Sequence, residues 1–373
     1  MSSARLETEG PASGPETGGA GDASGRPRVV IAMSERLRPT YLAEADLERL
    51  RRFAEPVWVA CEDEQITPEL QEALRGAAAL VVCHGAPRVD GALLDGLPQG
   101  APGLRLVGEL EGDRFERRLD VEGLQARGLA VVDTTNGSSY PVSEWALGLI
   151  LVALRNAGAH FRRLIAGEVV RQGRDDPGYL YGELTGKRVG LIGCGHIGRR
   201  LLQYLRPFQV DARVYDPYLA PEVPDAFDFR VASTLELVFR ESEVVVCLAP
   251  LTPRTRGMIG ARELDWLPPG GAFVNVSRGP IVDSGALIER LKRGDGVRAA
   301  LDVFDPEPIP AEGPLAEIRQ LPNVFLSPHI AGVTGPARPR FFTLMVDELE
   351  RFFGGYLPRF AFTERTLANR RGA

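Results

Sequence analysis

Eleven short apolar runs in two successive series constrain this sequence more than any other feature. The first series occupies residues 28–32, 56–60, 79–83, 104–108 and 129–133. The second occupies 188–192, 212–216, 244–249, 272–276, 298–303 and 323–327. Each run is rich in Val, Ile or Leu without polar alternation, as parallel strands covered on both faces must be. Their starts lie roughly 23 to 32 residues apart, the span of a strand, a helix and two loops. The pattern predicts an α/β protein with two doubly wound parallel-sheet domains, and 373 residues suffice for both.

The segments outside these runs narrow the possibilities further. Residues 1–26 form a Gly/Ala/Ser/Glu tract with few apolar positions, read as a disordered tail and not as a targeting segment. Residues 141–154, PVSEWALGLILVAL, form a helix that is apolar nearly all round and needs burial on more than one side. A domain junction or a partner subunit could supply that burial, and the partner is narrowly preferred. No apolar run reaches the roughly 18 residues of a membrane span. A net charge of −6 argues against nucleic acid as a general partner. Cys61, Cys83, Cys194 and Cys247 are scattered, and His84, His160, His196 and His329 lack metal-ligand spacing, so no metal is expected and a reducing cytoplasm fits.

The chemistry gathers in the second series. Gly193, Gly195 and Gly198 form a G-x-G-x-x-G turn, with His196 and Ile197 inside it, between a strand and an amphipathic helix. Such glycines let backbone amides approach a pyrophosphate at the positive end of a helix. Asp216 ends the next strand, 18 residues past Gly198, where a carboxylate can accept bonds from ribose hydroxyls and repel a 2′-phosphate. The cofactor expected is NAD, with NADP second. Ligands of open parallel sheets bind beyond the carboxyl ends of the strands. Those ends carry Asp216, Pro250, Ser277 and Arg278, Asp302 with Glu307, and His329.

The segments GKRVGLIGCGHIGRRL, APLTPRTRGMIG, FVNVSRGPIVDSGALIERL, ALDVFDPEP and LPNVFLSPHIAG follow in this order. In them the chain resembles the D-isomer-specific 2-hydroxyacid dehydrogenases. The resemblance implies a Rossmann nucleotide domain (138–329) inserted into a flavodoxin-like substrate domain made of 27–137 and 330–365. It also implies a homodimer formed through the helix 141–154. It makes Arg278 the substrate-binding arginine, His329 the acid/base and Glu307 its carboxylate partner. Asp302 would hold the nicotinamide carboxamide, Val276 and Ser277 would line the ring, and Pro250, Thr255 and Gly332 would border the cofactor.

Two departures stand out. Leu248 replaces a histidine usual before the T-P-x-T segment. The Gly-rich loop that normally holds the substrate carboxylate is replaced by a stretch containing Glu109, Glu111 and Asp113. Here Arg114 is expected to reach substrate, with His84 and Gly85 as further substrate-side candidates, while Arg117 and Arg118 face water. Glu109 and Glu111 would disfavour a dicarboxylate substrate. The expected function is hydride transfer between NAD and a D-2-hydroxy acid or its 2-oxo acid. Alternatives are formate or phosphite oxidation, against which Glu307 counts, and a dinucleotide-sensing regulatory or corepressor-like protein.

Overall fold

The computed structural model describes residues 25–96, 103–111, 115–168 and 182–371. The expected tail through residue 24, and Arg114, lie outside them. The chain divides into two compact units, Met1–Thr135 with Pro339–Phe362, and Asn136–Arg338 with Thr363–Ala373. Both are parallel-sheet α/β units, as the two series of apolar runs predict.

In the first unit, β1 (Arg28–Met33), β2 (Glu55–Ala60), β3 (Ala79–Val82), β4 (Leu106–Glu109) and β5 (Ala130–Asp133) form a sheet of order β2-β1-β3-β4-β5. All neighbouring strands are parallel. This is the order of flavodoxin-like sheets. One face is covered by Phe341, Phe342, Met345, Val346 and Leu349 of the helix Ala337–Phe353, which pack with Val29, Ile31 and Val81. Gly108 makes room for that helix, since a Cβ there would stand 2.6 Å from the Met345 side chain.

In the second unit the strands are β6 (Arg188–Ile192), β7 (Asp211–Tyr215), β8 (Arg230–Val231), β9 (Val244–Cys247), β10 (Ala272–Asn275), β11 (Arg298–Leu301) and β12 (Val324–Leu326). Their order is β12-β11-β10-β9-β6-β7-β8, so the direction of winding reverses between β6 and β9. Side chains alternate between two cores. Val245, Cys247, Phe273 and Ala299 enter one, and Val244, Val246, Val274 and Ala300 enter the other. Burial on both faces is why these runs lack polar alternation. β8 has no counterpart among the expected runs, because its two residues are exposed.

The helix Ser139–Leu154 buries much of its surface within its own unit. Val142, Ala146, Leu149, Ile150, Ala153 and Leu154 are buried in the same core as Leu201 and Leu205 of the following helix. Its own unit therefore supplies most of the burial that its composition requires. Among the described residues no helix is long and apolar enough to cross a membrane.

Candidate active site

The Gly-rich turn joins β6 to the helix His196–Leu205. Gly193 has φ +98, a conformation that a side chain would strain. A Cβ on Gly198 would come within 2.8 Å of the Gly193 carbonyl oxygen, so the helix and the turn meet closely only without one. Around Gly195, by contrast, a Cβ would meet nothing within 4 Å, and no side chain caps the helix. The positive end of the helix is thus open above an exposed glycine, which fits a dinucleotide pyrophosphate. Asp216 follows β7, and its two carboxylate oxygens accept hydrogen bonds from Cys194 N (2.8 Å) and Tyr218 N (2.9 Å). The carboxylate is fixed beside the turn with lone pairs remaining for a ribose. His196 is exposed and Ile197 half-buried.

This fixed charge gives a direct expectation. Fluorescence titration should show NADH binding more tightly than NADPH, and Asp216→Ala should weaken NADH by about tenfold, the worth of a charge-assisted hydrogen bond. Equal affinities in the unmodified protein would refute the role of Asp216.

Arg278, Glu307 and His329 follow the adjacent strands β10, β11 and β12, at the carboxyl edge of one sheet. Asn275 shapes the first of these loops, accepting from Ser277 N (3.0 Å) and donating to the Arg278 carbonyl (3.3 Å). The half-buried Arg278 guanidinium donates to the Ser277 carbonyl at 2.7 Å. Gly279 presses that loop against the next one, for a Cβ there would overlap the Phe304 carbonyl. His329 Nδ1 lies 2.8 Å from Glu307 Oε2, and both side chains are partly exposed. The carboxylate orients the ring through Nδ1 and offsets the charge it gains on protonation, leaving Nε2 to exchange a proton. His329 itself has φ 54, a left-handed conformation that a non-glycine residue keeps only when its surroundings enforce it.

Thr255 donates to the Pro250 carbonyl at 2.6 Å and accepts from Thr252 N at 2.8 Å, which fixes the loop after β9. Val276 and Ser277 are buried, and the Ser277 hydroxyl donates to the Ala249 carbonyl. Gly332 is half-buried near Val142. Asp302 follows β11 directly. It is wholly buried, and its carboxylate accepts from Ser327 Oγ (2.6 Å), Ile330 N (3.0 Å) and Ala331 N (2.9 Å). These bonds tie the carboxylate to the His329 loop.

In the first unit the expected placements of Glu109 and Arg118 need correction. Glu109 is not a loop residue but the buried end of β4, 3.6 Å from the buried Arg118. Arg118 therefore does not face water: it donates to the Cys83 carbonyl and lies 3.0 Å from His84 Nδ1. Arg117 is exposed and pairs with Glu64 at 2.8 Å. A guanidinium only donates, so His84 Nδ1 accepts and Nε2 carries the proton shared with Glu111 at 2.5 Å. Tyr41 donates to the other oxygen of Glu111. Gly85 has φ 88, and a Cβ there would overlap the Cys61 carbonyl.

Burial works to raise the pKa of Glu111, but the hydrogen bonds from His84 and Tyr41 outweigh it and hold the carboxyl below its ordinary value of 4.5. A depressed folded-state value stabilises the protein above about pH 4.5, and that contribution disappears as pH falls through the folded-state value. Glu111→Gln should accordingly lower the melting temperature near neutrality, with the gap from wild type closing below about pH 4.5. A gap independent of pH would show that the carboxylate charge is not what stabilises this edge.

Comparison with known proteins agrees with this geometry. Residues 147–331 match the family model described as D-isomer specific 2-hydroxyacid dehydrogenase, NAD binding domain. The chain is 33% identical over 337 residues to a glyoxylate reductase of Thermococcus gammatolerans, covering 89% of this chain and 95% of that one. It is 31% identical over 289 residues to a D-3-phosphoglycerate dehydrogenase of Methanocaldococcus jannaschii, 78% of this chain but only 52% of that longer one, so it spans about half of that relative. A phosphoglycerate oxidoreductase from Rhizobium etli shares the fold, with a TM-score of 0.76 at 23% identity over 91% of this chain and 99% of that one. At 33% identity over nearly the full length of a family member, the chain belongs to the NAD-dependent D-isomer specific 2-hydroxyacid dehydrogenases.

Proposed function

We propose that this enzyme interconverts a 2-oxo monocarboxylic acid and its D-2-hydroxy acid, with His329 as acid/base, Glu307 as its partner and Arg278 as the substrate-carboxylate ligand. The observation that carries the assignment is the 2.8 Å contact between His329 Nδ1 and Glu307, on a loop next to that of Arg278. Bound at the Gly-rich turn, NAD supplies or accepts the hydride. The protein's residues handle the proton and the charge. Reduction of a carbonyl leaves negative charge on its oxygen, and a protonated His329 polarises that oxygen and then donates the proton from Nε2. Arg278 presents a planar fork of donors that suits a carboxylate.

The test is NADH consumption by the purified enzyme against glyoxylate, pyruvate and a 2-oxo dicarboxylate. Turnover of a monocarboxylic 2-oxo acid supports the assignment, while NADH binding without turnover of any would favour a sensing role. A preference for the dicarboxylate would overturn the substrate class. Arg114, expected at the substrate, remains part of this proposal: a raised KM with nearly unchanged kcat is what its loss should produce.

The active form proposed is a cytoplasmic homodimer. All four cysteines are free and buried, and burial pushes the Cys61 and Cys194 thiols up to about 11, as suits a reducing compartment. Phe161, Leu164 and Ile165 leave a large apolar strip exposed on the helix Ala157–Ile165, with Leu151 exposed on the helix before it. Burial of such a strip against a second copy removes it from water. Light scattering decides: a monomeric mass at working concentration would overturn the dimer.

A further inference from the structure

The backbone around His329 is gripped by one buried residue. The Asp302 carbonyl accepts from His329 N at 2.9 Å, while its carboxylate accepts from the next two amides, Ile330 N and Ala331 N, at 3.0 and 2.9 Å. Three successive N–H groups thus converge on Asp302, which explains how His329 keeps its left-handed φ of 54. That grip depends on how the carboxylate is turned. A buried carboxylate has several rotamers, and an uncompensated one is costly.

A further pair of side chains fixes it. Ser327 Oγ donates to Asp302 Oδ1 at 2.6 Å. A hydroxyl that donates there has its oxygen free to accept, and the Trp145 indole N–H supplies the bond at 3.1 Å. Trp145 sits on the helix Ser139–Leu154, whose buried face is anchored in the core of the same unit. The line therefore runs from a rigid helix through Ser327 and Asp302 to the three amides of the His329 loop.

We propose that Trp145 and Ser327 are positioning residues for the acid/base histidine, acting through the orientation of the Asp302 carboxylate. The proposal rests on His329 being the acid/base of the reaction proposed above. Ser327→Ala removes both the bond to Asp302 and the acceptor for Trp145. Trp145→Phe removes only the indole bond, and Ser327→Thr restores the hydroxyl. A misaligned proton donor lowers kcat without weakening ground-state binding. Ser327→Ala should thus lose about tenfold in kcat, with KM and NADH affinity within about twofold of wild type. Trp145→Phe should lose less in the same direction, and Ser327→Thr should recover most of the rate.

A second measurement needs no turnover and no cofactor. The ring resonances of His329, assigned through His329→Ala, should shift in Ser327→Ala and return in Ser327→Thr. Unchanged kcat, or unchanged His329 resonances, in Ser327→Ala would overturn the proposal. So would a loss of NADH affinity equal to the loss of kcat, or failure of the Thr variant to recover either signal. Should the wild-type enzyme reduce no 2-oxo acid, the catalytic assignment fails and the resonances alone decide whether Ser327 holds the His329 loop.

Discussion

His329→Ala should lower kcat by at least ~10²-fold while NADH continues to bind, because a positioned acid/base commonly supplies 10²- to 10⁴-fold. The Gly-rich turn and Asp216, proposed to hold the cofactor, lie at the ends of β6 and β7, whereas His329 follows β12 at the far edge of the sheet. Removing the imidazole leaves the Asp302 grip on the backbone amides intact, since those bonds are made by main-chain donors. Alanine fits the left-handed position less readily than histidine, so a modest fall in melting temperature should accompany the loss of rate. Stopped-flow and steady-state rates, with NADH titration alongside, separate the two effects. A kcat near wild type would remove His329 from the chemistry.

Gly279→Ala should damage both stability and rate, although it adds one methyl group. The added Cβ has no room beside the Phe304 carbonyl, which is backbone and cannot swing aside as a side-chain tip would. Overpacking of this kind costs about 1–3 kcal/mol or more, which should lower the melting temperature by roughly 1–4 °C in a chain of this size. Relief comes only by parting the loop that bears Arg278 from the loop that bears Glu307. A kcat loss well beyond the fraction unfolded should follow, measured far below the melting transition. Ala at Gly270, whose Cβ would meet nothing within 4 Å but whose φ is +74, serves as a comparison in which only backbone strain is added. Equal rates in the two variants would show that loop separation does not matter.

The strands were legible because burial on both faces leaves a continuous apolar signature, and only their ends shifted. The run at 298–303, for example, shortens to Arg298–Leu301, because Asp302 and Val303 already belong to the turn that carries Asp302 to the His329 loop. β8 was not legible, since Arg230 and Val231 are exposed and a two-residue edge strand needs no apolar pattern. The Gly-rich turn, Arg278, Glu307 and His329 could be read because each stands in a local motif at a strand end. The groups that hold them could not. Trp145 meets Ser327 across 182 residues of chain, and Arg118 meets His84 across 34, with no spacing that marks either pair. Arg118 was expected in water because arginine is usually solvated. Its burial follows from Glu109, which the strand β4 carries inside and which needs a counter-charge there.

The division of the first unit into two chain segments has a consequence for synthesis. The five strands of its sheet are complete by Asp133, but the helix that covers one face begins at Ala337. A ribosome adding about 5–20 residues per second needs roughly 10–40 seconds to make the intervening segment. During that interval Val29, Ile31 and Val81 have no Phe342 or Met345 to pack against, while the second unit acquires all seven of its strands. The newborn chain therefore carries a second unit with its whole sheet assembled, short only of residues 363–373, and an open hydrophobic sheet in the first unit at the same time. Chaperone binding during translation is expected to concentrate on the first 135 residues and to end when the helix Ala337–Phe353 leaves the exit tunnel.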